Sequence, residues 1–136
     1  MLRSIDISTS GLVAQRQRMT TLAENIANAN TTQDENGNIT PFKRRYVAFR
    51  ANEDATRGST RGVGVKYEVK VDTKQPRIVH DPGHEHADAD GNVRYPAINV
   101  IEEFINMMEA SRAYELNVSA VEMSKEMAAQ TLRIIA

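Results

Sequence analysis

From Val100 to Ile135, apolar residues recur in alternating steps of four and three: Val100, Phe104, Met107, Tyr114, Val118, Val121, Ala128, Leu132 and Ile135, with Ser111 and Lys125 as polar breaks. Spacing of this kind, sustained over five heptads, predicts an α-helix whose apolar seam lies against another helix. At 1.5 Å per residue such a helix is about 54 Å long, more than a compact domain of this size holds within itself. Asn99 is placed to cap its first turn, with Glu102 three residues on to complete a capping-box pair. Glu102 and Glu103 suit the positive end of the helix dipole, and Arg133 the negative end.

A second helix is predicted from about Ser4 to Ala29. Ile5, Leu12, Met19 and Ile26 repeat every seven residues, flanked by Leu2, Thr9, Arg16 and Ala23 on one side and Ser8, Gln15 and Leu22 on the other. This is the narrow seam of a helix docked along another helix. Gly11 inside it costs about 1 kcal/mol relative to alanine. Asn28, Asn30, Thr31 and Thr32 end it, because their side chains compete for backbone hydrogen bonds. At about 39 Å it is shorter than its partner, so antiparallel pairing leaves one end of the longer seam without cover from the same chain. Such a seam is an expected subunit interface, and a head-to-tail contact would build an open filament.

The middle of the chain has a different pattern. Asn36–Gly37 marks a turn. Tyr46 to Arg50 alternate weakly, and Val63, Val65, Tyr67, Val69 and Val71 alternate strictly with Gly64, Lys66, Glu68 and Lys70, predicting a half-buried strand. Arg77 to His80 offer a short partner strand, followed by a loop to Pro96. The expected fold is mainly α with a small β region: N- and C-terminal helices pairing as a coiled coil, with a short β-hairpin domain between them. The divisions are 1–30, 31–98 and 99–136.

Composition narrows the function. With 17 basic and 18 acidic residues and a net charge of −1, the chain lacks the excess of cations that bulk nucleic-acid binding requires. Cysteine is absent, which removes disulfides, thiolate metal sites and cysteine nucleophiles. The start of the chain lacks a basic stretch followed by an apolar run, so export by a cleaved Sec-type signal is not expected. Aromatics make up only 5% with no tryptophan, a sparse core for a lone globule. Residues 99–136 hold six acidic and three basic groups and form the biased segment.

His80, Asp81, His84, Glu85, His86, Asp88 and Asp90 crowd one short segment and raise the question of a metal site. Pro82, Gly83 and Gly91 make it a loop, and structural zinc sites usually draw on cysteine. As a calcium loop, the run from His86 has histidine at its first position and Ala97 where a bidentate glutamate belongs. A solvated turn accounts for it better. Catalysis has no purchase either: Gly-x-Ser-x-Gly and phosphate-loop patterns are missing, and all three histidines lie in one loop. Arg61-Gly-Val-Gly64 reads as the start of the strand. Lys43-Arg-Arg45 near Tyr46 and Phe49 is a weak nucleic-acid signal, better read as a solvated strand start or a contact to an acidic neighbouring subunit. The three Asn-x-Ser/Thr triplets at Asn30, Asn38 and Asn117 match a glycosylation pattern by chance. Met107, Met108, Met123 and Met127 suit an adaptable packing face, inside the chain or against a partner.

The stretch Ser8, Gly11, Leu12, Gln15, Arg16, Met19 and Glu24-Asn-Ile-Ala-Asn-Ala-Asn-Thr31 resembles the N-terminal motif of bacterial flagellar axial proteins. Val79-His-Asp-Pro-Gly-His84, Ala87-Asp-Ala-Asp-Gly91, Arg94-Tyr-Pro96, Asn99-Val100, Glu102-Glu103, Met107-Met108, Ala110-Ser-Arg-Ala-Tyr-Glu115, Asn117 and Thr131-Leu132 resemble the proximal rod proteins of that family. Glu85 stands where such sequences usually carry proline, and the linker Thr32–Pro41 is unusual. The resemblance implies a structural subunit of the periplasmic rod, without enzymatic activity or cofactor, which transmits motor torque to the hook. It implies export unfolded by the flagellar type III apparatus, with an uncleaved N-terminal signal. The implied partners are FlgB, FlgF, FlgG, the adaptor FliE and copies of the chain itself. Membrane insertion and nucleic acid are not expected. The seam residues Leu12, Met19, Ile26, Phe104, Met107, Tyr114, Val118 and Leu132 are the expected subunit interface. A cytoplasmic coiled-coil adaptor is the alternative, distinguished by finding the protein only in the cytosol of motile cells. A metal-binding protein using the loop 80–90 is another, distinguished by a metal titration against a His84→Ala, His86→Ala variant.

Overall fold

The computed structural model describes residues 2–52 and 64–135. Its elements run in the order α1 (Leu2–Ala27), β1 (Arg45–Ala51), β2 (Val65–Val71), β3 (Arg77–His80), β4 (Asn92–Tyr95) and α2 (Val100–Ile135). The fold is mainly α with a small β region, as the sequence predicts. Of the expected strand at Val63–Val71, Val63 lies outside the described residues, as do Arg61 and Gly62. No described helix is long and apolar enough to cross a membrane.

The chain divides into two compact units. The first comprises Met1–Met19, Val47–Glu68 and Met108–Ala136. Here α1 and α2 pack antiparallel. Ser4 Oγ meets Ser124 Oγ at 3.5 Å. Arg18 Nη2 reaches Glu109 Oε2 at 3.3 Å. Between these, a Cβ placed on Gly11 would lie 3.4 Å from the Asn117 amide. The covered side of α2 carries Ala110, Tyr114, Asn117, Val121, Ser124, Ala128 and Thr131. Tyr114, Val121 and Ala128 belong to the predicted seam. Of the predicted companion line, Ser111 and Val118 are half-buried while Lys125 and Leu132 are exposed, and beside it Asn117 and Ser124 meet α1. The small residues Gly11, Ser4 and Ser124 let the two helices approach closely enough for Gly11 to meet Asn117 and for two serines to share a hydrogen bond. Ser10 adds a tie to the strands: its hydroxyl donates to Ile7 O at 2.7 Å and accepts the Val65 N–H at 2.9 Å.

The second unit comprises Thr20–Tyr46 and Val69–Met107. Asn28 ends α1 as expected, its side-chain amide donating to Glu24 O at 2.8 Å. Asn99 caps α2, its Oδ1 accepting the Ile101 N–H at 3.1 Å. The β3 strand does not pair with the Val65–Val71 strand. It forms its own antiparallel sheet with β4, in the register Arg77↔Tyr95, Ile78↔Arg94, Val79↔Val93 and His80↔Asn92. The sequence reading missed β4 because four residues, Asn92–Tyr95, bounded by Gly91 and Pro96, leave too little alternation to read. Val93 nevertheless fills the interior and is fully buried.

Gly91 makes that hairpin possible. It sits at φ 73°, and a Cβ there would lie 3.0 Å from Pro82 Cβ and 3.1 Å from His80 Cε1. Gly91→Ala is therefore expected to cost about 1–2 kcal/mol for the left-handed backbone, with crowding against Pro82 in addition. A urea unfolding curve checks this, and an unchanged midpoint would contradict it.

The β1 and β2 strands form a two-stranded sheet. Its ends are closed by Asn52 N–H to Gly64 O at 2.8 Å and Asp72 N–H to Arg44 O at 2.7 Å, the pattern of an antiparallel pair. The predicted half-buried face is not covered: Val65, Tyr67, Val69 and Val71 all remain substantially exposed. Period-2 alternation encodes a two-faced strand. It does not say which chain covers the apolar face.

Candidate functional site

The second unit is organised around a charged side chain that water does not reach. Glu103, in the first turn of α2, is 1% exposed, and Asn25, near the end of α1, is fully buried. Glu103 Oε2 accepts from Asn25 Nδ2 at 2.8 Å. Glu103 Oε1 accepts from Arg44 Nε and pairs with Arg44 Nη2, each at 2.7 Å. Arg44 Nη1 also lies 3.5 Å from Asp72 Oδ2. Asn25 grips the start of β1 through its backbone, with Nδ2 donating to Arg45 O at 2.7 Å and Oδ1 accepting the Arg45 N–H at 2.9 Å. One knot thus ties both helices and the first strand. A buried carboxylate is tolerable here because each oxygen has a partner and one partner is a cation.

This arrangement corrects the reading of the basic run. Arg44 turns inward to Glu103. Arg45 sits 5.4 Å above the Phe42 ring and 3.7 Å from Glu24 Oε2. Lys43 and Arg45 are exposed, and of the three only Arg44 is drawn inward. Composition and spacing could not show this, because Glu103 is distant in sequence and reads as an ordinary helix-dipole residue.

In the His/Asp loop, the side chains of Asp88, His84, His86 and His80 are engaged in hydrogen bonds. Asp88 Oδ1 accepts the N–H groups of Asp90 and Asn92 at 3.0 and 2.8 Å. His84 Nδ1 accepts the His86 N–H at 3.0 Å. His86 Nδ1 pairs with Thr32 Oγ1 at 2.8 Å, tying the loop to the segment after α1. His80 Nδ1 lies 3.3 Å from Asn92 Oδ1. Among the described residues no group of three acidic or histidine side chains is arranged to hold a metal.

The apolar seam residues separate into two sets. Leu12, Met19, Ile26, Met107, Tyr114 and Val118 are half-buried. Phe104 and Leu132 are 52% and 69% exposed. In the first unit, the solvent side of α2 also shows Met108, Leu116, Met123, Met127 and Ile134, so three of the four methionines considered above point outward. In the second unit Ile101 and Ile105 join Phe104 at the surface. Contiguous exposure of large apolar side chains marks a surface made to be covered. The geometry offers extended apolar faces along α2.

Comparison with known proteins agrees. Residues 5–33 match the family described as flagella basal body rod protein, and residues 89–134 match that described as flagellar basal body rod FlgEFG protein C-terminal. The chain is 36% identical over 135 residues to the flagellar basal-body rod protein FlgC of Escherichia coli O6:H1, covering 98% of this chain and 97% of the relative. It is 35% identical to that of Salmonella typhimurium over 135 residues, with the same coverage. It is 31% identical to that of Bacillus subtilis over 143 residues, covering 96% and 95%.

A chain built from two stiff helices with uncovered apolar faces, and matching at both ends, is a flagellar basal-body rod protein: a structural subunit of the flagellum, not an enzyme, that assembles with other rod components. Within that class it belongs to the FlgC family.

Proposed function

We propose that the chain is a subunit of the proximal rod, polymerising with copies of itself and with FlgB, FlgF, FlgG and FliE to carry motor torque across the periplasm to the hook. In this reading the chain is exported unfolded through the flagellar type III apparatus, without a cleaved signal. The segments 1–30 and 99–136 act as the helical core of the assembled rod, pairing as a coiled coil, with 31–98 facing outward. Leu12, Met19, Ile26, Phe104, Met107, Tyr114, Val118 and Leu132 are the subunit contacts in this reading.

The observation that carries the proposal is the exposure of the large apolar side chains Phe104 and Leu132 on α2. Full burial of each such side chain against a neighbour contributes about 1.5–3 kcal/mol, and many contacts in parallel give a shaft its stiffness. Phe104→Gln and Leu132→Gln test it. Because both sites face solvent, unfolding of the isolated chain is expected to change by no more than about 0.5 kcal/mol. Basal bodies purified from cells carrying the double variant should lack the rod beyond this subunit. Normal rods containing the variant chain would refute these contacts.

A further inference from the structure

On the solvent side of α2, within the first unit, two rows run side by side. Glu115, Glu122 and Glu126 form one, and Leu116, Met123 and Met127 form the other, each apolar residue directly following its glutamate. Spacings of seven and four keep each row on its own line along the helix, and the two lines lie about 100° apart. All six side chains are exposed, and the three glutamates make no ion pair among the described residues. The ridge is therefore apolar along one edge and negative along the other.

The second unit contains a groove of the opposite character. A cavity of about 450 Å³ is walled by Ile39, Phe42 and Val71 and ringed by Lys43, Lys74 and Arg94. Asp72 also lines it but is engaged by Arg44. The ammonium groups of Lys43 and Lys74 and the Arg94 guanidinium make no ion pair among the described residues. Three cations around an apolar floor match three carboxylates beside an apolar row in both sign and character. Complementary potentials of this kind fix partner and register at an interface.

We propose that this groove receives the Glu115–Met127 ridge of a second copy of the chain. The two surfaces differ, so the contact is heterologous: each subunit offers its ridge to one neighbour and its groove to the next, and the contact propagates instead of closing. Leu116 and Met123 enter against Ile39, Phe42 and Val71, while the glutamates meet Lys43, Lys74 and Arg94. This specifies one contact within the rod assembly proposed above and rests on that reading.

Charge exchange in the full-length chain tests it, in cells whose own copy has been deleted. One variant carries Lys43→Glu, Lys74→Glu and Arg94→Glu; another carries Glu115→Lys, Glu122→Lys and Glu126→Lys; a third carries all six. Each triple variant alone is expected to abolish swimming, and the sixfold variant to restore it, because like charges meet in the first two and opposite charges in the third. Producing both triple variants in one cell should also restore swimming, since each then complements the other. Swimming with either triple variant alone overturns the contact. So does failure of both the sixfold variant and the mixed pair, the result expected if another kind of subunit fills the groove or if the changes only disturb folding. If the deleted cells swim without any copy, the rod reading itself fails, which is a separate outcome.

Discussion

Glu103→Ala is expected to destabilise the isolated chain by about 3–5 kcal/mol, the cost of breaking a buried ion pair on one side. The reason lies in what remains. Arg44 loses the carboxylate at 2.7 Å and keeps only Asp72 at 3.5 Å. Asn25 Nδ2 loses the acceptor at 2.8 Å. A cavity opens where a side chain only 1% exposed had been. Glu103→Gln keeps the shape and one acceptor oxygen, so its loss should be smaller. The joint replacement Arg44→Met with Glu103→Leu removes both charges and should recover most of the stability, because dehydrating an ion pair offsets much of its attraction. Urea unfolding followed by helical circular dichroism reads all three. A loss below about 0.5 kcal/mol for Glu103→Ala would show the pair to be hydrated in solution, as at an ordinary surface site.

What the sequence disclosed and what it hid follow from the range of the interactions. The start of α2 at Val100 was legible to the residue, because three-four spacing and the Asn99 cap are local signals. The seam itself was legible only in part. Ser111, Tyr114, Val118, Val121 and Ala128 of the predicted seam are half-buried, but apolar counting gave no sign of Asn117 and Ser124, the polar residues that meet α1. Hydrophobic periodicity finds a face, and a helix with apolar residues on two sides has two candidate faces. The choice between them depends on how closely the partner approaches, which Gly11 and Ser4 settle. The strands were legible where alternation is long, as at Val65–Val71, and invisible where it is short, as at Asn92–Tyr95. The Asn25–Glu103–Arg44 knot left no periodic trace at all. Its members read separately as a motif asparagine, a helix-dipole glutamate and a basic surface residue, and only the fold brings them together.

Asn25 is the position where one changed atom should matter most. Its amide is a donor to two oxygens, Arg45 O at 2.7 Å and Glu103 Oε2 at 2.8 Å, while its own oxygen accepts the Arg45 N–H at 2.9 Å. Asn25→Ala strands all three groups, and its expected cost is about 3 kcal/mol. Asn25→Asp is nearly the same size but should be worse. It sets an acceptor against Arg45 O and a carboxylate against Glu103, so lone pairs face each other where a donor had stood, in a site water does not reach. If volume alone governed this position, aspartate would be the milder change. Combining Asn25→Asp with Glu103→Gln moves the donor to the other partner and should regain part of the loss, though not the bond to Arg45 O. Unfolding midpoints for the two single variants and the pair therefore separate shape from proton placement. An aspartate variant as stable as wild type would mean that the amide proton is not what joins α1 to α2 and the start of β1.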